Sequence, residues 1–250
     1  MQKALQAQAM ELGLWQEHDG FVWWQSGLAA TGANLVVESG NGLNVQRIQR
    51  LVDLMLWPQK PVGWLIWPGR QMKLIKNILA ANKFHYCETL SLLSMAAASF
   101  VPRQMLIKTT LLNISNQTLF CDFLTICHQI PKCYANVVSR AFLLNLSSEI
   151  KMQTWAVLQK DNSDSHIIAS ITACLMPGRF GPIGGLFWLG TVEKHRSKGY
   201  ASQLVVDANE WLITNGAIKV FVQSTARAHS LYKSLGFMQN GSMEFWGYSP

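Results

Sequence analysis

TVEKHRSKGYASQLVVDANEW, residues 191–211, is the stretch around which the chain is organised. A short apolar run at residues 185–190 leads into it. A basic turn follows, Arg196-Ser197-Lys198-Gly199-Tyr200-Ala201. Beyond the turn, Leu204, Val205, Ala208, Trp211 and Leu212 share one face of a helix. A strand, a turn of small and basic residues and a helix start make an anion site. The first-turn N–H groups have no intrahelical partner and lie at the positive end of the helix dipole. Gly199 omits a Cβ where backbone must approach phosphate closely. The amides of residues 197–202 can point into one concavity, with Arg196 and Lys198 adding charge and Ala201 keeping the helix start narrow. The stretch reads as a cradle for a diphosphate.

Working outward, residues 186–189 read as the strand before the cradle and residues 180–185 as a glycine-rich loop. The cradle helix runs to about Thr214, and Asn215-Gly216 ends it with a left-handed cap. Residues 219–222 are a strand, 226–235 a helix and 243–248 a last strand. Upstream, residues 154–159 and 166–176 are strands joined by the polar turn Lys160-Asp161-Asn162-Ser163-Asp164. Residues 119–129 form a helix capped by Asn116 or Thr118. Pro131 opens another, to about Leu146. Residues 106–114 read as a strand.

In the first hundred residues, 33–38, 62–67 and 86–95 read as strands, and 45–56 and 71–81 as helices. The Trp-rich segment at 21–24 supplies packing, Trp23 and Trp24 included. Residues 96–103 resemble a linker. Strand 62–67, helix 71–81, Phe84 and a strand are echoed by strand 219–222, helix 226–235, Phe237 and a strand, a faint internal repeat.

The 250 residues carry a formal charge of +7, 49% hydrophobic and 14% charged side chains, a composition suited to a packed core. Residues 1–103 hold nine Lys/Arg against six Asp/Glu, and residues 104–250 twelve against eight. The excess is even and makes no basic tail. Its tightest cluster, Lys194, Arg196 and Lys198, lies in the cradle. That argues for a local phosphate ligand and against a nucleic-acid track or a membrane surface. Cys87, Cys121, Cys127, Cys133 and Cys174 are odd in number and without a CxxC pair, which reads as reduced thiols in a cytoplasmic protein. The N-terminus lacks a signal-peptide core. The longest uncharged apolar-rich run, residues 89–101, is too short to span a bilayer. The N-x-S/T triplets at Asn113, Asn116 and Asn145 are chance matches in that setting.

Arg196-Ser197-Lys198-Gly199-Tyr200-Ala201 matches the R-x-x-G-x-G/A signature of the GNAT acetyltransferase superfamily. Farther on, Ala228-His229-Ser230-Leu231-Tyr232-Lys233-Ser234-Leu235-Gly236-Phe237 matches its A-x-x-L-Y-x-x-x-G-F element. The chain resembles that family closely over residues 185–248 and, by element order, from about residue 105. The first hundred residues resemble more loosely the degenerate N-terminal half of two-domain members. The implied fold is α/β, with tandem GNAT-like domains at 1–100 and 104–250, each a mixed, mostly antiparallel twisted sheet flanked by helices. The resemblance implies acetyl-CoA as co-substrate and a primary amine as acceptor, joined by direct attack. Leu189, Gly190, Thr191, Arg196, Ser197, Lys198, Gly199, Tyr200, Ala201 and Ser202 would hold the coenzyme. The strand at residues 187–191 would splay from its neighbour and line the pantetheine arm, an N–H near Leu189 holding the thioester carbonyl. Tyr232 would protonate the leaving thiolate. Two halves in one chain are compatible with a monomer. The other reading is a module that holds acyl-CoA without turning it over.

No Walker pattern and no G-x-G-x-x-G occurs, so a nucleoside triphosphate or dinucleotide fits less well than coenzyme A. A general base is not evident. Family members often place a carboxylate on the strand before the cradle, and residues 186–190 offer none. Glu193, where the family often has proline, and His195 read as exposed turn residues. Glu149, His166 and Glu244 are further candidates that the sequence cannot aim. Cys127, His128 and Cys133 lack a second ligand pair and read as a packed helix face rather than a metal site. Ser139 and Ser148 lack a nucleophile elbow, and the methionines read as core filler.

Overall fold

The computed structural model describes residues 15–18, 21–26, 28–38, 44–57, 59–69, 71–102, 106–144, 150–161 and 164–250. The amphipathic N-terminal opening, the 40–42 turn, Asn145, Ser148, Glu149 and the tip of the 160–164 turn lie outside them. In chain order the elements are β1 (Trp15–His18), β2 (Phe21–Gln25), β3 (Asn34–Glu38), α1 (Val45–Leu56), β4 (Val62–Ile66), α2 (Met72–Ala81), β5 (His85–Ala96), β6 (Thr110–Leu111), α3 (Gln117–His128), α4 (Lys132–Leu144), β7 (Lys151–Asp161), β8 (Asp164–Met176), β9 (Ile183–Thr191), α5 (Tyr200–Thr214), β10 (Lys219–Ser224), α6 (Ala226–Ser234) and β11 (Met238–Tyr248).

Two compact units divide the described residues. One is Leu93–Asn240, and the other takes the residues up to Leu92 together with Gly241–Pro250. The boundaries fall inside β5 and inside β11, whereas the sequence placed a single break at residues 100–104. Each unit therefore finishes its sheet with part of a strand that sequence order alone gives to the other.

In the N-terminal unit β1 and β2 pair antiparallel, β2 and β3 antiparallel, β3 and β4 parallel, and β4 pairs antiparallel with the end of β11, Tyr248 opposite Val62. Helix α1 packs through Ile48, Leu51, Val52 and Met55, spaced for one helical face, and Asn44 caps it by accepting from the Arg47 N–H at 3.0 Å. Trp64 is the centre of the core, with Phe21 and Phe84 edge-on to it at 5.7 and 6.2 Å. Trp23 is buried in the same cluster, as its composition suggested.

In the C-terminal unit the strand order is β5-β10-β9-β8-β7-β6. The β6–β7, β7–β8 and β8–β9 pairs are antiparallel, and β9–β10 is parallel. Helices α3 and α4 pack against each other and on β7 and β8, while α5 packs on β7, β8 and β9. Leu204, Val205, Ala208 and Leu212 bury the apolar face of α5 against Ala169, Ile171, Ala173 and Leu186. Two expectations needed correction. Strand β9 starts at Ile183, inside the stretch read as a loop, and residues 106–114 yield only the two-residue β6.

Candidate active site

The cradle begins where β9 leaves its parallel partner. Registered pairing with β10 ends at Leu186 opposite Val222, yet β9 continues to Thr191 and β10 to Ser224. On its other edge β9 stays with β8. There Ser170 faces Gly190 and Thr172 faces Phe187, so Trp188 and Leu189 together oppose Ile171. This is a β-bulge, and Trp188 sits in it at φ 52°. A left-handed conformation at a bulky residue is costly, and such strain is tolerated where surrounding contacts enforce it.

The chain then turns through a single 3-10 turn, Glu193–His195. Ser197 follows at φ 61° and Gly199 at φ 84°. Only Ile107 Cδ1, at 3.5 Å, would meet a Cβ on Gly199, so its backbone conformation and not space demands glycine. Gly199 is the N-cap of α5 and supplies no capping side chain. The first intrahelical bond runs from the Gln203 N–H to the Gly199 carbonyl at 3.0 Å. The amides of Tyr200, Ala201 and Ser202 therefore open the helix without intrahelical acceptors. Ser197, Lys198 and Gly199 are exposed around them. Arg196 ties the turn to the strand, its Nε donating to the Thr191 carbonyl at 3.2 Å, while its guanidinium lies 3.5 Å from Glu193. Among the described residues, that Arg196–Thr191 bond is the hydrogen bond between the end of β9, Leu189 to Thr191, and the turn from Arg196 to Ser202. The Thr191 hydroxyl is buried and has no hydrogen-bond partner.

Tyr232 lies on α6, is 3% exposed and meets Phe237 edge-on at 5.4 Å. It belongs to the core cluster against which Leu189 and Tyr200 pack. Burial pushes its phenol well above the usual tyrosine range. The G-F of the motif has a local cause. Gly236, at φ 94°, closes α6, and the Phe237 N–H returns to the Tyr232 carbonyl at 3.0 Å, folding the Phe237 ring onto Tyr232.

The base candidates separate. Glu193 is exposed, with its side chain toward Arg196, whereas His195 is buried, not exposed as the sequence suggested. Glu244 belongs to the N-terminal unit, where Lys76 Nζ, 2.7 Å away, and the Trp246 indole N–H, 2.9 Å away, engage its two oxygens and hold its carboxyl below the usual range. His166 stays on β8. Sequence reasoning placed His128 on a packed helix face, and it does pack. It ends α3, because Gln129 at φ 54° stops the helix there, and its ring lies edge-on to Trp188 at 5.2 Å and to Phe123 at 5.9 Å. Burial pushes the imidazole down to about 4. A lone histidine at the end of an apolar helix carries no motif; only the fold puts it beside β9. The neighbouring Cys127 thiol is raised to about 11 by burial, so it is not a nucleophile at neutral pH. Cys133 is exposed, and among the described residues no three His, Cys, Asp or Glu side chains converge as a metal site.

The depressed His128 value has a stability consequence. The unfolded ring takes a proton near ~6.5 and the native ring only near 4. The contribution is fully present above the unfolded value and is lost as pH falls toward the folded one, about 3 kcal/mol in all. Urea midpoints measured from pH 7 to 4.5 should fall, and His128→Leu should flatten that decline. An equally steep decline in the variant would assign it to other groups.

Residues 127–237, just under half of the chain, match the model of the acetyltransferase (GNAT) family. This segment is a GNAT acetyltransferase domain. The GNAT fold extends over nearly the whole chain. A GCN5-related N-acetyltransferase from Kribbella flavida superposes with a TM-score of 0.66 at 11% identity, over 98% of this chain and 94% of that one. A putative GNAT acetyltransferase from Novosphingobium aromaticivorans gives 0.60 at 13% identity, over 98% and 95%. A tandem GNAT protein from the clavulanic acid biosynthesis pathway gives 0.60 at 9% identity, over 91% and 78%. At such identities these likenesses establish the fold alone. No curated protein matches the sequence. Among the described residues no helix is long and apolar enough to cross a membrane.

Proposed function

We propose that the GNAT domain transfers an acetyl group from acetyl-CoA to a primary amine by direct attack. The observation that carries this reading is the departure of β9 from β10 beside an uncapped helix N-terminus. A splayed strand frees backbone groups for the amides of a pantetheine arm, and the α5 amides suit its diphosphate. A neutral amine attacks the thioester carbonyl, the oxyanion is held by an N–H near Leu189, the C–S bond breaks, and the departing thiolate takes a proton from Tyr232. The phenolate regains a proton from water as the new amide sheds one. Burial keeps Tyr232 protonated and makes it a weaker acid, but a thiolate leaving into the same dry surroundings is a stronger base as well.

The N-terminal unit is taken as a second copy of the architecture without a cradle. In its favour, β3 and β4 are parallel and followed by α2 and β5, as β9 and β10 are parallel and followed by α6 and β11.

The test is a thermal-shift titration with acetyl-CoA, followed by thiol release over a panel of amines. A rise in melting temperature and saturable thiol release are expected, and absence of the rise would overturn the coenzyme assignment. Tyr232→Phe should lower turnover about 100-fold with acetyl-CoA affinity unchanged. Undiminished turnover would remove Tyr232 from the mechanism.

A further inference from the structure

We propose that the cleft between the C-terminal half of α5 and the β6–β7 edge is a second ligand site, one that takes a small organic ammonium ion. It stands apart from the cradle. Helix α5 rises about 1.5 Å per residue, so Glu210 lies about 15 Å along it from Tyr200.

The cleft holds about 420 Å³, within the range of small-molecule sites. Two periodicities build its walls. Asp207, Glu210, Trp211 and Thr214 fall at i, i+3, i+4 and i+7, one row on α5 beside the stripe that packs on the sheet. Leu111 and Trp155 are directly opposite in the β6–β7 pair, so their side chains share one face of the sheet. Trp155 belongs to the core cluster that holds Leu204, Val205, Ala208 and Leu212, which identifies that face as the α5 side. The Trp155 and Trp211 indoles meet edge-on at 5.7 Å.

Charge sets what the cleft attracts. Asp207 is held from two directions, the Thr109 hydroxyl donating to Oδ2 and Gln203 Nε2 to Oδ1, both at 2.6 Å. These donors are uncharged. They fix the carboxylate without neutralising it, and each of its oxygens keeps a further lone pair. Glu210 is exposed, and among the described residues neither acid pairs with a lysine, arginine or histidine. The last turn of α5 contains no basic residue, so the negative end of its dipole has no cation of its own. Among the described residues no lysine, arginine or histidine lines the cleft, in a chain whose formal charge is +7.

The walls also select the kind of cation. An ammonium beside an indole gains from the ring's electron-rich face as well as from the carboxylates. Its carbon body would cover Leu111, which is exposed. A metal ion fits poorly. Calcium takes about six to eight oxygens, whereas the cleft offers two carboxylates, one of them already accepting from two donors. Among the described residues no three metal-binding side chains converge.

The test is calorimetric titration of the full chain with benzyltrimethylammonium, which has no N–H to acetylate, beside benzyl alcohol as an uncharged counterpart. The ammonium should bind saturably and at least about tenfold more tightly than the alcohol. Trp211→Leu should weaken binding about 3-fold to 30-fold, and Glu210→Gln about 2-fold to 5-fold. Thr214 lines the cleft and is exposed, so Thr214→Arg leaves the core untouched. Its guanidinium, four residues beyond Glu210, would occupy the cleft from within. That variant should melt higher and bind the ammonium at least about tenfold more weakly. It decides the matter even if Trp211→Leu unfolds. Absence of binding to the unaltered protein overturns the inference, as does equal affinity for the alcohol. Undiminished binding in Thr214→Arg or in folded Trp211→Leu puts the ammonium elsewhere and overturns it as well.

Discussion

Gly199→Glu abolishes the rise in melting temperature produced by saturating acetyl-CoA. In the unaltered protein a ligand at a hundred times its dissociation constant adds about 2.7 kcal/mol. Two effects remove that gain in the variant. Gly199 occupies φ 84°, a conformation that costs an L-residue about 1–3 kcal/mol. A carboxylate at the N-cap position also accepts from the first-turn amides of α5 and brings negative charge where the diphosphate would sit. The backbone cost has an internal control. Gly216 lies at φ 94° beyond the other end of α5, and a Cβ added there would meet nothing within 4 Å, so Gly216→Ala carries similar strain away from the cradle. It should lower the melting temperature and leave the acetyl-CoA response intact. A full response in Gly199→Glu would show that the α5 N-terminus does not hold the coenzyme.

A chain beginning at residue 104 fails to fold cooperatively, although its sequence contains every motif. Leu93 and Met95 on β5 are 1% and 0% exposed in the core of the C-terminal unit, and Phe100 packs against that core. Loss of two such side chains costs about 2–5 kcal/mol each, on the scale of the about 5–15 kcal/mol that a domain has in total. Removing β5 also strips β10 of a sheet neighbour, and an exposed inner strand invites aggregation. Residues 93–240 should unfold in one sharp thermal transition. Residues 104–250 should unfold broadly and bind a hydrophobic dye. A sharp transition of 104–250 at the melting temperature of the full chain would refute this.

The boundary was illegible in the sequence because residues 96–103 have the small side chains and proline of a linker, while the core residues that matter lie just before them. The turn and helix that follow β9 were legible, since Gly199, the basic turn and the α5 stripe encode them locally. So was α1, whose predicted span, 45–56, coincides with Val45–Leu56. The start of β9 was not. Gly184 and Gly185 look like loop residues, but a Cβ on the first would stand 2.7 Å from Leu212 and on the second 2.8 Å from the Phe187 ring. Gly184 is a glycine because α5 approaches the sheet closely there, and Gly185 because the Phe187 ring of the same strand lies over it. Residues 106–114 have the composition of a strand, yet they engage α5: Ile107 joins the core cluster, and the Thr109 hydroxyl donates to Asp207 at 2.6 Å. His128 and the Trp188 bulge depend on contacts between segments far apart in sequence, and no local pattern announces such a pairing.

The exchange of strand ends sets an order of events during synthesis. The N-terminal unit pairs β4 with residues of β11, Glu244 through Tyr248, so its sheet stays open while the intervening domain is being made. On the ribosome the first half of the chain waits for nearly all of the second. A chaperone that shields β4 during translation would therefore speed recovery of the N-terminal unit more than that of the C-terminal unit, whose residues Leu93–Asn240 are all made before residues 241–250.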